Sequence, residues 1–108
     1  MLKPFFVWHN KVLKGVHPTD VVALSTEGNY TVIILSDKSS FMVRSTLSGA
    51  LRKLPPEMFI KIHRSHVVSI DFIDTIDRDH LTVTIGKKPF PISRQYYRRV
   101  IKQLNVIE

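Results

Sequence analysis

The chain has 108 residues, 44% of them apolar, which suits one domain with a packed core and argues against a disordered segment. It has no cysteine, which excludes disulfides and cysteine–zinc sites, and no apolar run near the ~20 residues of a membrane-spanning helix. Sixteen Lys and Arg oppose nine Asp and Glu, and the resulting net charge of +7 favours a polyanionic partner.

The start, Met1-Leu2-Lys3-Pro4, lacks the apolar core and small-residue cleavage site of a signal peptide, so a cytoplasmic location is expected. Phe5 to Trp8 reads as a strand that His9-Asn10 turns back into Lys11–Gly15. Pro18-Thr19-Asp20 reads as a loop and Val21–Leu24 as the next strand. Glu27-Gly28-Asn29 reads as a turn, because Gly and Asn tolerate positive φ. Tyr30–Leu35 is rich in β-formers, and Ser36–Ser40 turns it into a strand from Phe41 to Arg44.

The period then changes. Leu47, Ala50, Leu51 and Leu54 mark one face of a short helix, with Ser45 or Thr46 as its cap and Arg52 and Lys53 in its last turn. Pro55-Pro56 ends it. From Phe59 the chain reads as a core strand, Ile60 and Ile62 alternating with Lys61. That strand is interrupted by four polar residues, His63-Arg64-Ser65-His66, before Val67, Val68 and Ile70 resume. Phe72–Ile76 reads as a strand, Asp77–His80 as a turn, and Leu81–Ile85 as an alternating strand. Pro89 and Pro91 both lack an amide donor on one side, which places Pro89–Ile92 at a sheet edge. Ser93 is positioned to cap a last helix that buries Tyr97, Val100, Ile101 and Leu104 beside a basic stripe of Arg94, Arg98 and Lys102. The sum, about eight to ten short strands and two short helices, predicts a mainly antiparallel β domain. With no repeat, linker or low-complexity tract, residues 1–108 read as a single domain with a core from about residue 5 to about residue 106.

Positive charge is segregated. Lys38, Arg44, Arg52, Lys53, Lys61 and Arg64 face one acid, Glu57, in the stretch from Lys38 to His66, and Asp71, Asp74, Asp77 and Asp79 follow together. Arg64 is the natural reader of a base edge, with Lys61 and His63 beside it for phosphates. Its competing reading is a salt bridge to one of those aspartates. Arg94 opposes the dipole at a helix start, which fits a site that holds an anion and equally a side chain extended into solvent, where the cost nearly vanishes. His63, Ser65 and His66, with Asp71 or Asp74, invite a hydrolase reading, but no strained nucleophile turn of the G-x-S-x-G kind is present and no enzyme is expected. His63 and His66 are three apart, so on one strand they point to opposite faces and cannot converge on a metal without a sharp bend. The acids lack calcium-loop order, and neither metal nor cofactor is expected. Phe41, Phe59, Phe72 and Phe90 read as core, leaving Trp8 and Tyr30 as exposed aromatics. An RNA- or acidic-protein-binding module is therefore the main alternative to a reader of duplex DNA.

Four stretches resemble one family. Phe59-Ile60-Lys61-Ile62-His63-Arg64-Ser65-His66-Val67-Val68-Ser69 is similar to the F-x-R-[IV]-H-R-S-[YF]-[IL]-V-N signature of the LytTR DNA-binding domain. Asp20–Leu24 with Glu27–Tyr30, Leu47–Pro55 and Pro91–Arg94 resemble three further motifs of that family, in the same order. His66, Ser69 and Lys61 stand where the family has an aromatic residue, Asn and Arg. The resemblance implies an elongated arrangement of small antiparallel β-sheets with one or two short helices. It implies the output domain of a bacterial two-component response regulator, reading direct-repeat double-stranded DNA through loops. The chain would be monomeric when free and paired on DNA, with a receiver domain outside this chain as a further partner. Together with the residue-level reading, it nominates Asn29, Tyr30, Lys61, His63, Arg64, Ser65, Ser93, Arg94 and Arg98 as DNA-binding residues.

Overall fold

The computed structural model describes residues 2–108 and arranges ten strands in three antiparallel sheets. The first sheet is a hairpin of β1 (Phe5–His9) and β2 (Val12–Val16). Asn10 and Lys11 both take positive φ between them, as a tight two-residue hairpin turn requires. His9 is therefore still strand, one residue later than the sequence suggested. Pro18–Asp20 is a single 3₁₀ turn where a loop was expected.

A five-stranded sheet follows, ordered β5-β4-β3-β7-β6. Its strands are β3 (Val21–Glu27), β4 (Tyr30–Leu35), β5 (Ser40–Val43), β6 (Phe59–His63) and β7 (His66–Ser69). The centre of β3 is buried on both faces. On one face Leu24, Phe59 and Val67 form a core with the first hairpin and α1 (Leu47–Leu51). On the other, Ala23, Ile60, Ile62 and Val68 form a core with the third sheet and α2 (Arg94–Lys102). A strand covered on both sides reads as a continuous apolar run, which is what Val21-Val22-Ala23-Leu24 is. Between β3 and β4, Gly28 takes φ 58°, a conformation a side chain would strain, while Asn29 does not use the left-handed region.

The segment Phe59–Ser69 is not one strand with a polar break. It is a hairpin, β6–β7, whose two-residue turn is Arg64-Ser65. The polar run is polar because it is a turn at the sheet end.

Helix α1 stops at Leu51, so Arg52 and Lys53 lie beyond its last turn rather than in it. Leu54 still reaches the core from the following turn. Thr46 is the cap, its Oγ1 accepting from the Gly49 amide at 2.9 Å. Phe72–Ile76 is likewise not a strand. Ile70–Phe72 is a 3₁₀ turn, and pairing begins only at β8 (Thr75–Asp77). Ile70, Phe72 and Ile73 are apolar because they pack against the core, not because they pair.

The third sheet is ordered β10-β9-β8, with β9 at Thr82–Ile85 and β10 at Lys88–Pro91. β10 is the edge that its two prolines demand. In α2, Val100 is fully buried, with Tyr97 and Leu104 half-buried beside it, and Arg94, Arg98 and Lys102 are exposed. Ser93 occupies the cap position, but its hydroxyl makes no capping bond. The molecule is elongated, with extents of 47 × 33 × 24 Å.

Candidate nucleic-acid interface

Sheet order brings distant segments to one end. Strands β3 and β4 meet at Gly28-Asn29, and β6 and β7 meet at Arg64-Ser65. Because β3 pairs with β7 antiparallel, both turns lie at the same end of the five-stranded sheet. The exit of β5, Arg44 to Thr46, lies there too, since Val43 pairs with Thr31. The two turns are tied together: the Thr26 amide donates to the Ser65 carbonyl at 2.9 Å.

The opposite end collects acids. Asp20 precedes β3, Asp37 lies between β4 and β5, Glu57 precedes β6 and Asp71 follows β7. The topology therefore sets four acids at that end, with Lys38 among them, and Arg44 and Arg64 at the other, where Glu27 ends β3. Arg64 is exposed, and among the described residues neither it nor Arg94 has an ion-pair partner. The aspartates that competed for Arg64 sit beyond the far end of β7 or in the third sheet.

Between the turns lies a polar groove of about 340 Å³ lined by Thr26, Asn29, Tyr30, Thr46, Lys61 and Arg64, among others. Four of the nine nominated residues meet there: Asn29, Tyr30, Lys61 and Arg64. Thr26 and Thr46 were not nominated. Thr46 was visible only as a cap, and nothing in local sequence brings Thr26 to the same groove. That proximity follows from the β3–β7 pairing.

His63 and His66 lie on the other face. A register shift between Lys61 and His63 adds one residue to β6, so His63 does not share the face of Lys61. It stands opposite His66 instead, with ring centroids 5.2 Å apart. The two converge because a hairpin turn, the sharp bend that a single strand would lack, lies between them. The His63 Nδ1 accepts from the Ser65 amide at 3.0 Å. His66 Nδ1 shares a hydrogen bond of 2.8 Å with Ser25 Oγ, and its ring meets Phe90 edge-on. Burial, then the charges of His63 and Lys88, hold the His66 pKa below the ordinary histidine value.

The contact between His63 and Ser65 uses an amide, not the serine hydroxyl, and Asp71 is at the far end of β7. The parts of the hydrolase reading are thus not assembled. Among the described residues no three His, Asp or Glu side chains come together as metal ligands would.

Ser93, Arg94 and Arg98 belong to the same face as the histidines and do not line the groove. The Ser93 amide donates to the Ile62 carbonyl at 2.8 Å, at the residue where the β6 register shifts. Bulging frees that carbonyl from the ladder and gives the start of α2 a fixed anchor beside His63. Arg94 follows one residue later, and Arg98 one turn further on.

The family model for the LytTr DNA-binding domain matches residues 11–105. The chain belongs to this family. Sensory transduction protein LytR of Staphylococcus epidermidis (strain ATCC 12228 / FDA PCI 1200) is 36% identical over 93 residues, covering 82% of this chain and 36% of that protein. Sensory transduction protein LytT of Bacillus subtilis (strain 168) is 31% identical over 96 residues, covering 84% and 39%. The chain thus spans well under half the length of these curated relatives. A solved LytTr DNA-binding domain from Bacillus cereus superposes with a TM-score of 0.81 over 96% of this chain and 98% of that one, at 21% identity, and so shares the fold. The mainly β, three-sheet architecture is that of LytTR domains, and the chain is a DNA-binding domain of the kind found in response regulators. No helix among the described residues is long and apolar enough to cross a membrane.

Proposed function

We propose that this LytTR domain reads double-stranded DNA base-specifically with the cationic end of its five-stranded sheet, as the non-enzymatic output domain of a cytoplasmic two-component regulator. Arg64 contacts a guanine edge from the β6–β7 turn, and Asn29 and Tyr30 approach the same duplex from the neighbouring turn. Lys61, His63 and Ser65 hold phosphates or position the turn. Arg94, Arg98 and the Ser93 backbone meet the flanking backbone on the other side of the sheet. Residues 1–108 form one domain, receiving its signal from a receiver domain outside this chain, and two copies occupy a direct repeat.

The observation that carries this reading is Arg64. It is an exposed guanidinium without an acid partner, on a turn locked to its neighbour by the Thr26–Ser65 hydrogen bond. The backbone bond fixes where the side chain starts, and the unpartnered guanidinium is left free to pair bidentately with a base edge. Replacing Arg64 with Ala is expected to weaken binding to a selected duplex by ~1–3 kcal/mol and to relax preference at one base position. An equal loss on random duplex would make Arg64 a phosphate contact only. Tighter binding of single-stranded RNA than of duplex DNA would favour the RNA-binding alternative.

A further inference from the structure

A second groove lies beside the first and, apart from Tyr30, contributes no residue to the reading above. It has a volume of about 750 Å³, within the range of small-molecule sites. Its floor is the core residues Leu24, Ile33 and Leu54, and its walls come from β1, β5 and α1. Large apolar side chains stand around it in unusual exposure: Trp8 is 69%, Phe6 59% and Met42 53% accessible. Singly exposed apolar residues need no explanation, but three around one cleft do.

The charge of the lining says what kind of occupant fits. The charged side chains lining this groove are Arg44 and Lys53, with no Asp or Glu among the lining residues. An apolar cleft with cations alone at its rim complements an apolar body carrying a negative head.

We propose that this groove binds a small amphipathic anion, an aliphatic or aromatic body with one carboxylate or similar acid group. The body lies against Trp8, Phe6 and Met42, and the head meets Arg44 and Lys53. Tyr30 and Ser45 line both this groove and the polar groove that holds Arg64. An occupant therefore shares two wall residues with the DNA-facing surface and lowers affinity for the duplex. The coupling rests on the proposed DNA-reading surface, whereas the binding step does not.

Octanoate is a suitable probe and neutral octan-1-ol its control. Trp8 is the chain's single tryptophan and lines the groove, so its emission and indole NMR signal report occupancy without a label. Octanoate is expected to shift Trp8 and the amides of Arg44 and Lys53 saturably, and octan-1-ol to bind about five- to tenfold more weakly. Met42→Glu removes an apolar contact and places an anion on the exposed rim, and should weaken octanoate by at least a similar factor, while Met42→Lys, which loses the same contact but adds a cation, should weaken it less. Both are surface changes, and unaltered amide spectra elsewhere will show that the fold is retained. Saturating octanoate should weaken duplex binding at least threefold in the wild type but not in Met42→Glu. Absence of saturable shifts at Trp8, equal binding of octan-1-ol, or indifference to Met42→Glu would overturn the anion site. Concentration-dependent shifts of the same residues without ligand would do so too, by showing that a second copy covers the groove. Octanoate binding with unchanged duplex affinity would overturn only the coupling and leave the site standing.

Discussion

Two hairpins of this chain are built from similar material and end in different states. The first, β1–β2, carries Phe6, Trp8, Val12 and Leu13 largely in solvent, and of its ten strand residues only Val7 and Val16 are buried. The second, β6–β7, buries Phe59, Ile60, Ile62, Val67 and Val68 almost completely, with cores on both faces. Their turns differ in the same way. Asn10-Lys11 is shaped by its own positive φ angles and, among the described residues, makes no hydrogen bond to another element. Arg64-Ser65 is held by Thr26, by the His63 ring and by the Ser93 anchor on Ile62, two residues before it. A turn that must present one side chain at a fixed angle needs neighbours that over-determine it. The second hairpin has them and the first does not.

That contrast can be broken in stages. Ile62 is fully buried, so Ile62→Ala should cost ~2–5 kcal/mol in denaturant unfolding. Val12→Ala, at an exposed position of the other hairpin, should stay within about 0.5 kcal/mol. Equal costs would mean that the two hairpins are equally coupled to the core. Next in size is the loss of selected-duplex affinity for Arg64→Ala given above, set against a change within about twofold for Lys11→Ala. Ser25→Ala removes the partner of His66 and should lower stability by roughly 1 kcal/mol.

The smallest effect is in pH. His66 resists protonation when folded, so the unfolded chain takes up a proton that the folded chain refuses. Stability contributed by neutral His66 is therefore present at pH 7 and lost as pH falls below the ordinary value of 6.5. Thermal unfolding followed between pH 7 and pH 5 should show this loss, and His66→Gln should flatten it.

Much of this was legible from sequence. Strand positions follow from alternation and β-branched content, and the β10 edge follows from two prolines. What was not legible is instructive. Phe59–Ser69 was read as one strand because its apolar halves are in phase with each other. Only pairing shows that the polar tetrapeptide is a turn with its two flanking residues. The His63–His66 contact was hidden for the same reason, and a one-residue bulge with no sequence mark hid that His63 and Lys61 face opposite ways. Phe72–Ile76 misled because packing and pairing both demand apolar residues. In the candidate site, Arg64 and Asn29 could be found locally. Thr26 and Thr46 could not, because the groove they line exists only through the β5-β4-β3-β7-β6 order.

The central claim is that one end of the five-stranded sheet faces DNA and the other does not. Amide shift mapping with a selected duplex tests it most directly. Signals of Gly28–Tyr30, His63–His66 and Ser93–Gln95 should move, while those of Asp20, Ser36–Ser39 and Ile70–Asp74 stay in place. Movement concentrated at the acidic end, or spread evenly over the surface, would contradict it.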